Sequence, residues 1–95
     1  MQFLSISRRR TEQFSDAEFT ALLDAESERV RELYRDGIVR SIWSRGDIPG
    51  ACMLLECNDL VHAQASVASL PLAQKGMLEV QVIPLKGYRA FGPSS

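Results

Sequence analysis

Histidine, cysteine and long apolar runs are scarce in this chain, and each scarcity narrows what it can be. One histidine, His62, and two cysteines, Cys52 and Cys57, occur among the 95 residues, with no Cys-x-x-Cys spacing. A zinc or iron–sulfur centre within one chain is therefore not expected. Cys52 and Cys57 fall in what reads as one strand, where about 3.3 Å per residue puts their Cα atoms about 16 Å apart on opposite faces. That exceeds the reach of a disulfide, so both thiols are read as small hydrophobes. No apolar run approaches the roughly 20 residues that span a bilayer. The apolar start, Met1 to Ile6, meets Arg8-Arg9-Arg10 instead of a cleavage site, and a soluble cytoplasmic protein with no membrane partner is expected. A dominant charge is also missing. The net charge of -1 and pI near 5.8 provide no broad basic footprint for nucleic acid.

What is present is an ordinary globular composition, 45% hydrophobic and 24% charged, in a length that encloses one core. A single domain over residues 1–95 follows. The strongest local signal is Ser15 to Gly37, where Phe19, Leu22, Leu23, Val30, Leu33 and Tyr34 recur at helical spacings. Ser15 with Glu18 has the form of a capping box, and Gly37 suits a left-handed stop, so one long helix is predicted. Glu26 falls inside the apolar stripe. It is either a stripe-edge carboxylate that reaches water or a cation, or a pocket carboxylate whose pKa is raised by burial.

Around that helix, Gln2 to Arg8 alternates weakly and predicts a first strand, with Arg8-Arg9-Arg10 read as a solvated connection. Ile38 to Arg45 and Ala51 to Cys57, joined by the turn-forming Gly46-Asp47-Ile48-Pro49-Gly50, predict a β-hairpin. Its first arm is expected to carry Ile38, Arg40 and Ile42 on one face and Val39, Ser41 and Trp43 on the other. Asn58-Asp59 caps a second helix with Leu60, Gln64, Val67 and Leu70 inward, His62 exposed, and Pro71 as the stop. Gln64, like Glu26, is then a polar group aimed at the core. Met77 to Leu85 shows the clearest alternation, and Lys86 to Ser95 is a tail suited to lying across a partner.

Strand, helix, strand, strand, helix, strand is the α+β, ferredoxin-like βαββαβ order: a four-stranded antiparallel sheet with both helices on one face. The other face stays open. With Ile38, Ile42, Met53, Leu55 and Ile83 expected there, a second copy is the natural cover, giving a homodimer, or a larger assembly of dimers, of the dimeric α/β barrel type.

Glu26 and Glu28, the Gly37-x-x-Arg40-x-x-Trp43 run, and Leu70-Pro71-Leu72 followed by Met77, Glu79 and Val80 stand at spacings that resemble the muconolactone isomerase family, from about Leu22 to Val80. Gln64 occupies a place where members carry a histidine. The resemblance implies a cofactor-free isomerase that moves a proton and a double bond in a small unsaturated lactone of aromatic catabolism. Such chemistry needs a base in a partly dry pocket and a stabiliser for the dienolate oxygen. Glu26 is the candidate base and Arg40 the candidate stabiliser, with Tyr34, Trp43 and Gln64 shaping a site for a small organic ligand. Arg40 equally suits an ion pair with Glu79 or Glu56, and Trp43 suits ordinary core. By fold analogy alone, a cofactor-free monooxygenase, a polyketide cyclase or a non-catalytic dimer that binds a small ligand or a partner remain alternatives.

Overall fold

A computed structural model of the chain describes residues 1–91. Four strands form one antiparallel sheet in the order β2-β3-β1-β4: β1 (Gln2–Arg9), β2 (Val39–Ser44), β3 (Ala51–Glu56) and β4 (Leu78–Pro84). With helices between β1 and β2 and between β3 and β4, this is the ferredoxin-like arrangement.

The expected single helix is two. Helix α1 (Asp16–Thr20) begins at the predicted capping box, where Ser15 Oγ accepts from the Glu18 N–H and the Glu18 carboxylate accepts from the Ser15 N–H. It ends in a tight turn, Leu22 N–H to Phe19 O, before α2 (Leu23–Arg35). The break has a packing reason. Phe19 buries with Leu72 and Met77 in a small cluster, whereas Leu33 joins the main core of Phe3, Val39 and Leu55. One straight stripe does not serve both. Gly37 ends α2 with a φ of 79°, as its position suggests.

In the hairpin, the register steps from Val39↔Leu55 to Ser41↔Leu54, which leaves Arg40 as the extra residue of a β-bulge. The bulge undoes the expected alternation: Val39 and Ile42 share the helix-covered face, and Ser41 and Trp43 share the open one. Met53 and Leu55, expected on the open face, pair with Ser5 and Phe3 and are buried under the helices. The open face instead carries Leu4, Ile6, Cys52, Leu54, Ile83 and Trp43.

Helix α3 (Leu60–Ala68) is capped by Asp59, whose carboxylate accepts from the His62 N–H. It buries Ala63, Ser66 and Val67, while Leu60 and Gln64 are exposed. Of the four positions expected inward, Val67 and Leu70 are buried in the core, and Ala63 and Ser66 take the places expected of Leu60 and Gln64. His62 is half-buried, its Nδ1 accepting from the Asn58 N–H, and not exposed as expected. Pro71 does more than stop a helix, since it is the first residue of a short α4 (Pro71–Gln74). In β4, Leu78, Val80 and Val82 face the helices and Glu79 and Gln81 face away, matching the alternation. Beyond β4 the chain makes a short 3-10 turn at Arg89–Phe91, with Tyr88 and Phe91 both exposed. The last four residues of the tail expected to cross a partner lie outside the described residues.

Candidate functional site

Between the covered face of the sheet and the helices lies a cavity of about 390 Å³. This is within the size range of small-molecule sites, about 300–1,000 Å³. Strand β1 provides its floor, because Ser5, Ser7 and Arg9 alternate on the inward side after Phe3. Helix α2 contributes Leu23, Glu26 and Val30, and Leu70, Leu72 and Met53 complete an apolar wall.

Glu26 enters this cavity half-buried. Its Oε1 accepts a hydrogen bond from the Leu72 N–H at 3.0 Å. Leu70, the residue before α4, offers no side-chain cap of its own, so Glu26 caps that short helix from across the fold. Burial pushes its carboxyl pKa above the ordinary value, and the Leu72 hydrogen bond and the positive field of Arg9 partly oppose that rise.

Arg9 belongs to the site and is not part of the solvated connection expected from the arginine run. Its guanidinium lies over the Phe19 ring, 5.4 Å from the centroid. Among the described residues it makes no ion pair, whereas its neighbour Arg8 is held by Glu12 and Glu79 on the opposite side of the sheet. Arg31 also lines the cavity, but it pairs with Glu28 at 3.3 Å.

The two serines of the floor differ. Ser7 Oγ donates to the Ala51 carbonyl and accepts from the Ala51 N–H, which uses its proton and one of its lone pairs. Ser5, 1% exposed, has an Oγ without any hydrogen-bond partner. Gly50 closes the floor against β1: a Cβ there would fall 2.1 Å from the Ser7 carbonyl oxygen, so only glycine lets the hairpin loop approach this closely.

Of the candidate site residues Glu26, Arg40, Tyr34, Trp43 and Gln64, Glu26 alone lines this cavity. Arg40, on the bulge, is exposed and makes no ion pair among the described residues; Glu79 and Glu56, its expected partners, pair with Arg8 and the N-terminal amine. Tyr34 is 64% exposed and Trp43 55% exposed, so Trp43 is not core of the single protomer. Gln64 borders a separate shallow pocket between α3 and β4. The signal that finds Ser5, Ser7 and Arg9 was available: continuing the β1 alternation from Phe3 places all three on the inward face. No three of His, Cys, Asp and Glu come together as a metal-binding group among the described residues.

The family model for muconolactone delta-isomerase matches residues 1–90. Among solved structures, the chain is similar to the 5-chloro-2-hydroxyhydroquinone dehydrochlorinase TftG from Burkholderia phenoliruptrix AC1100, determined in complex with 2,5-dihydroxybenzoquinone. The TM-score is 0.69 at 14% sequence identity, over 95% of this chain and 98% of that one. At that identity the likeness shows a shared fold and nothing finer. No curated protein matches the chain.

Proposed function

The chain belongs to the muconolactone delta-isomerase family, and from that membership we propose that it is a cofactor-free isomerase in which Glu26 carries a proton between two carbons of a small unsaturated lactone. The observation that carries this reading is Glu26 itself, a half-buried carboxylate with a raised pKa on the wall of a largely apolar cavity. A carboxylate made more basic by desolvation takes a carbon-bound proton near neutral pH more readily than an exposed one. The Leu72 N–H holds Oε1, and in this reading the second oxygen takes the proton.

In the proposed reaction, Glu26 removes the proton next to the conjugated system and becomes a neutral acid. The electron pair moves into the ring system as a dienolate. The same carboxylic acid then returns the proton at the far carbon, and the double bond shifts with no net change in atoms or electrons. Arg9, a cation without an ion-pair partner in the cavity, takes the role of dienolate stabiliser first expected of Arg40.

A second copy of the chain is proposed to cover the open sheet face, because Leu4, Ile6, Leu54, Ile83 and the exposed Trp43 lie there together. Deuterium exchange into muconolactone, followed by NMR in D₂O, tests the isomerase reading. Exchange and double-bond migration are expected with the parent protein and a loss of at least about 10²-fold with Glu26→Gln. Equal exchange by the two proteins would return Glu26 to the role of a helix cap.

A further inference from the structure

Strand β4 is an edge of the sheet, with β1 as its one strand neighbour among the described residues. The bonds from Arg10 N–H to Met77 O and from Leu85 N–H to Gln2 O fix the phase of its ladder. Alternate residues, Leu78, Val80, Val82 and Pro84, therefore turn their backbone groups away from β1. Both ends of this row are closed. Arg10 Nε donates to the Leu78 carbonyl at 3.3 Å, and Pro84 has no N–H to offer. Between them the N–H and C=O groups of Val80 and Val82 have no partner among the described residues. Such an edge is a template for another strand.

Helix α3, beside this edge, is unlike α2. Seven of the 13 residues of α2 are charged, whereas α3, LVHAQASVA, contains no Asp, Glu, Lys or Arg. Yet Leu60, Val61, Gln64, Ala65 and Ala68 are exposed. Gln64 and Ala68 border the shallow groove of about 290 Å³ that Val80 and Val82 also line. A helix face without charge is the pattern of a covered face.

We infer that a second copy of the chain pairs with this one along β4, antiparallel, about a two-fold axis at Gln81. Gln81 is midway between the closed ends, Leu78 and Pro84, so the axis there sets Val80 opposite the partner's Val82. The two residues exchange both backbone bonds, each N–H dipole meeting a C=O dipole, and one patch serves both copies as a two-fold interface requires. The helices agree with the strands. Because α3 packs over β1 and β4, the two α3 axes stand two strand spacings apart across the seam, about 9.6 Å at about 4.8 Å each. That falls within the 8–10 Å or so at which helices pack. The row Leu60, Gln64, Ala68 then meets its own copy over the grooves, with no charge to desolvate. This surface is separate from the open face of the sheet, and it stands whether or not Glu26 is catalytic. It is small, so it holds two chains by itself only above micromolar concentration and adds to any contact made through the open face.

Disulfide trapping of the full-length chain tests it, with Cys52→Ser as the background. Gln81→Cys sets the new thiol against its own copy at a non-hydrogen-bonded pair, about 4.5 Å between Cα atoms, which a disulfide can bridge. Glu79→Cys leaves the two thiols four residues apart along the seam, about 13 Å. After oxidation at millimolar concentration, a non-reducing denaturing gel should show a covalent dimer of Gln81→Cys and a monomer of Glu79→Cys. Adding Ala68→Glu, at a position exposed in the single chain, should abolish the cross-link and leave the far-ultraviolet circular dichroism unchanged. Adding Trp43→Ala, on the opposite side of the sheet, should leave the cross-link in place. No covalent dimer, or equal cross-linking at residues 79 and 81, overturns the inference. So does a cross-link that survives Ala68→Glu and is lost with Trp43→Ala, which would assign the contact to the open face.

Discussion

Glu26 on α2 accepts a hydrogen bond at 3.0 Å from the backbone N–H of Leu72, 46 residues further along the chain. One contact serves two ends. It completes the N-terminus of α4, a helix too short to hold itself, and it fixes the carboxylate in the cavity wall. The fold thereby places a charge where desolvation opposes it.

Replacing that charge should stabilise the protein. The folded-state pKa of Glu26 lies above its unfolded value, so its contribution to stability is fully present below the unfolded pKa and is lost as pH rises through the folded one. Glu26→Gln keeps an oxygen for the Leu72 N–H and removes the charge. Its melting temperature should match the parent near pH 4 and equal or exceed it at pH 7, with the gap opening as pH rises. A variant that melts well below the parent at pH 7 would show that the ionised form is the one the fold prefers.

Gly50→Ala should be costly despite adding a single methyl. The new Cβ would lie 2.1 Å from the Ser7 carbonyl oxygen, a backbone atom that cannot rotate away. The loop must retreat, straining the Arg9 N–H to Pro49 O bond and the Arg45 contact with Ser7 O. A loss of about 1–3 kcal/mol is expected, as for overpacking elsewhere, with a change in the cavity floor. Chemical denaturation of the two proteins checks it; an unaltered midpoint would mean the loop yields freely.

Acid should loosen this same corner of the sheet. Arg45 holds Asp47 through both carboxylate oxygens and lowers its pKa from an ordinary 3.8 to about 2, and Arg8 lowers that of Glu12 from 4.5 to about 2. Both pKa values are depressed in the folded state, so these groups support stability above their unfolded pKa values and cease to as pH falls from about 4.5 to about 2. The pairs are exposed, and salt near 1 M should flatten the effect. In melting curves against pH, Asp47→Asn should show a shallower acid limb than the parent. Superimposable limbs would deny the pair any part in stability.

The fold was legible because its signals are local: the Ser15–Glu18 box, the Gly37 stop, the Gly46–Gly50 turn and the β4 alternation each act over a few residues. Glu26 was legible for the same reason, as one carboxylate in an apolar stripe. The remainder of the site depends on long-range facts. The bulge at Arg40 reverses the faces of β2, and no residue type marks it in advance. Arg9 looked like part of a charge run because the end of β1 is set by pairing with β4, down to Arg9↔Leu78, and not by composition. Val67 and Leu70 are legible as core, but the first turns of α3 are not, since the small residues Ala63 and Ser66 pack inward there in place of Leu60 and Gln64.

Trp43 supplies the test of assembly. The bulge turns its ring onto the open sheet face opposite Cys52, where it is 55% exposed in a single chain. Truncating a ring that exposed removes little packing within one protomer, so Trp43→Ala should leave the intrinsic stability of the fold nearly as it was. A second copy seated on this face would bury the ring with Leu4, Ile6, Leu54 and Ile83. Full burial of an aromatic side chain is worth about 3–5 kcal/mol on truncation, and in a symmetric dimer that loss occurs once in each copy. The expected outcome is a parent that is dimeric or larger by light scattering at micromolar concentration and a Trp43→Ala variant that falls to the monomer mass while retaining the parent's far-ultraviolet circular dichroism. A variant that keeps the parent's mass would place the ring outside the interface. A parent that is monomeric would leave the open face to some other cover.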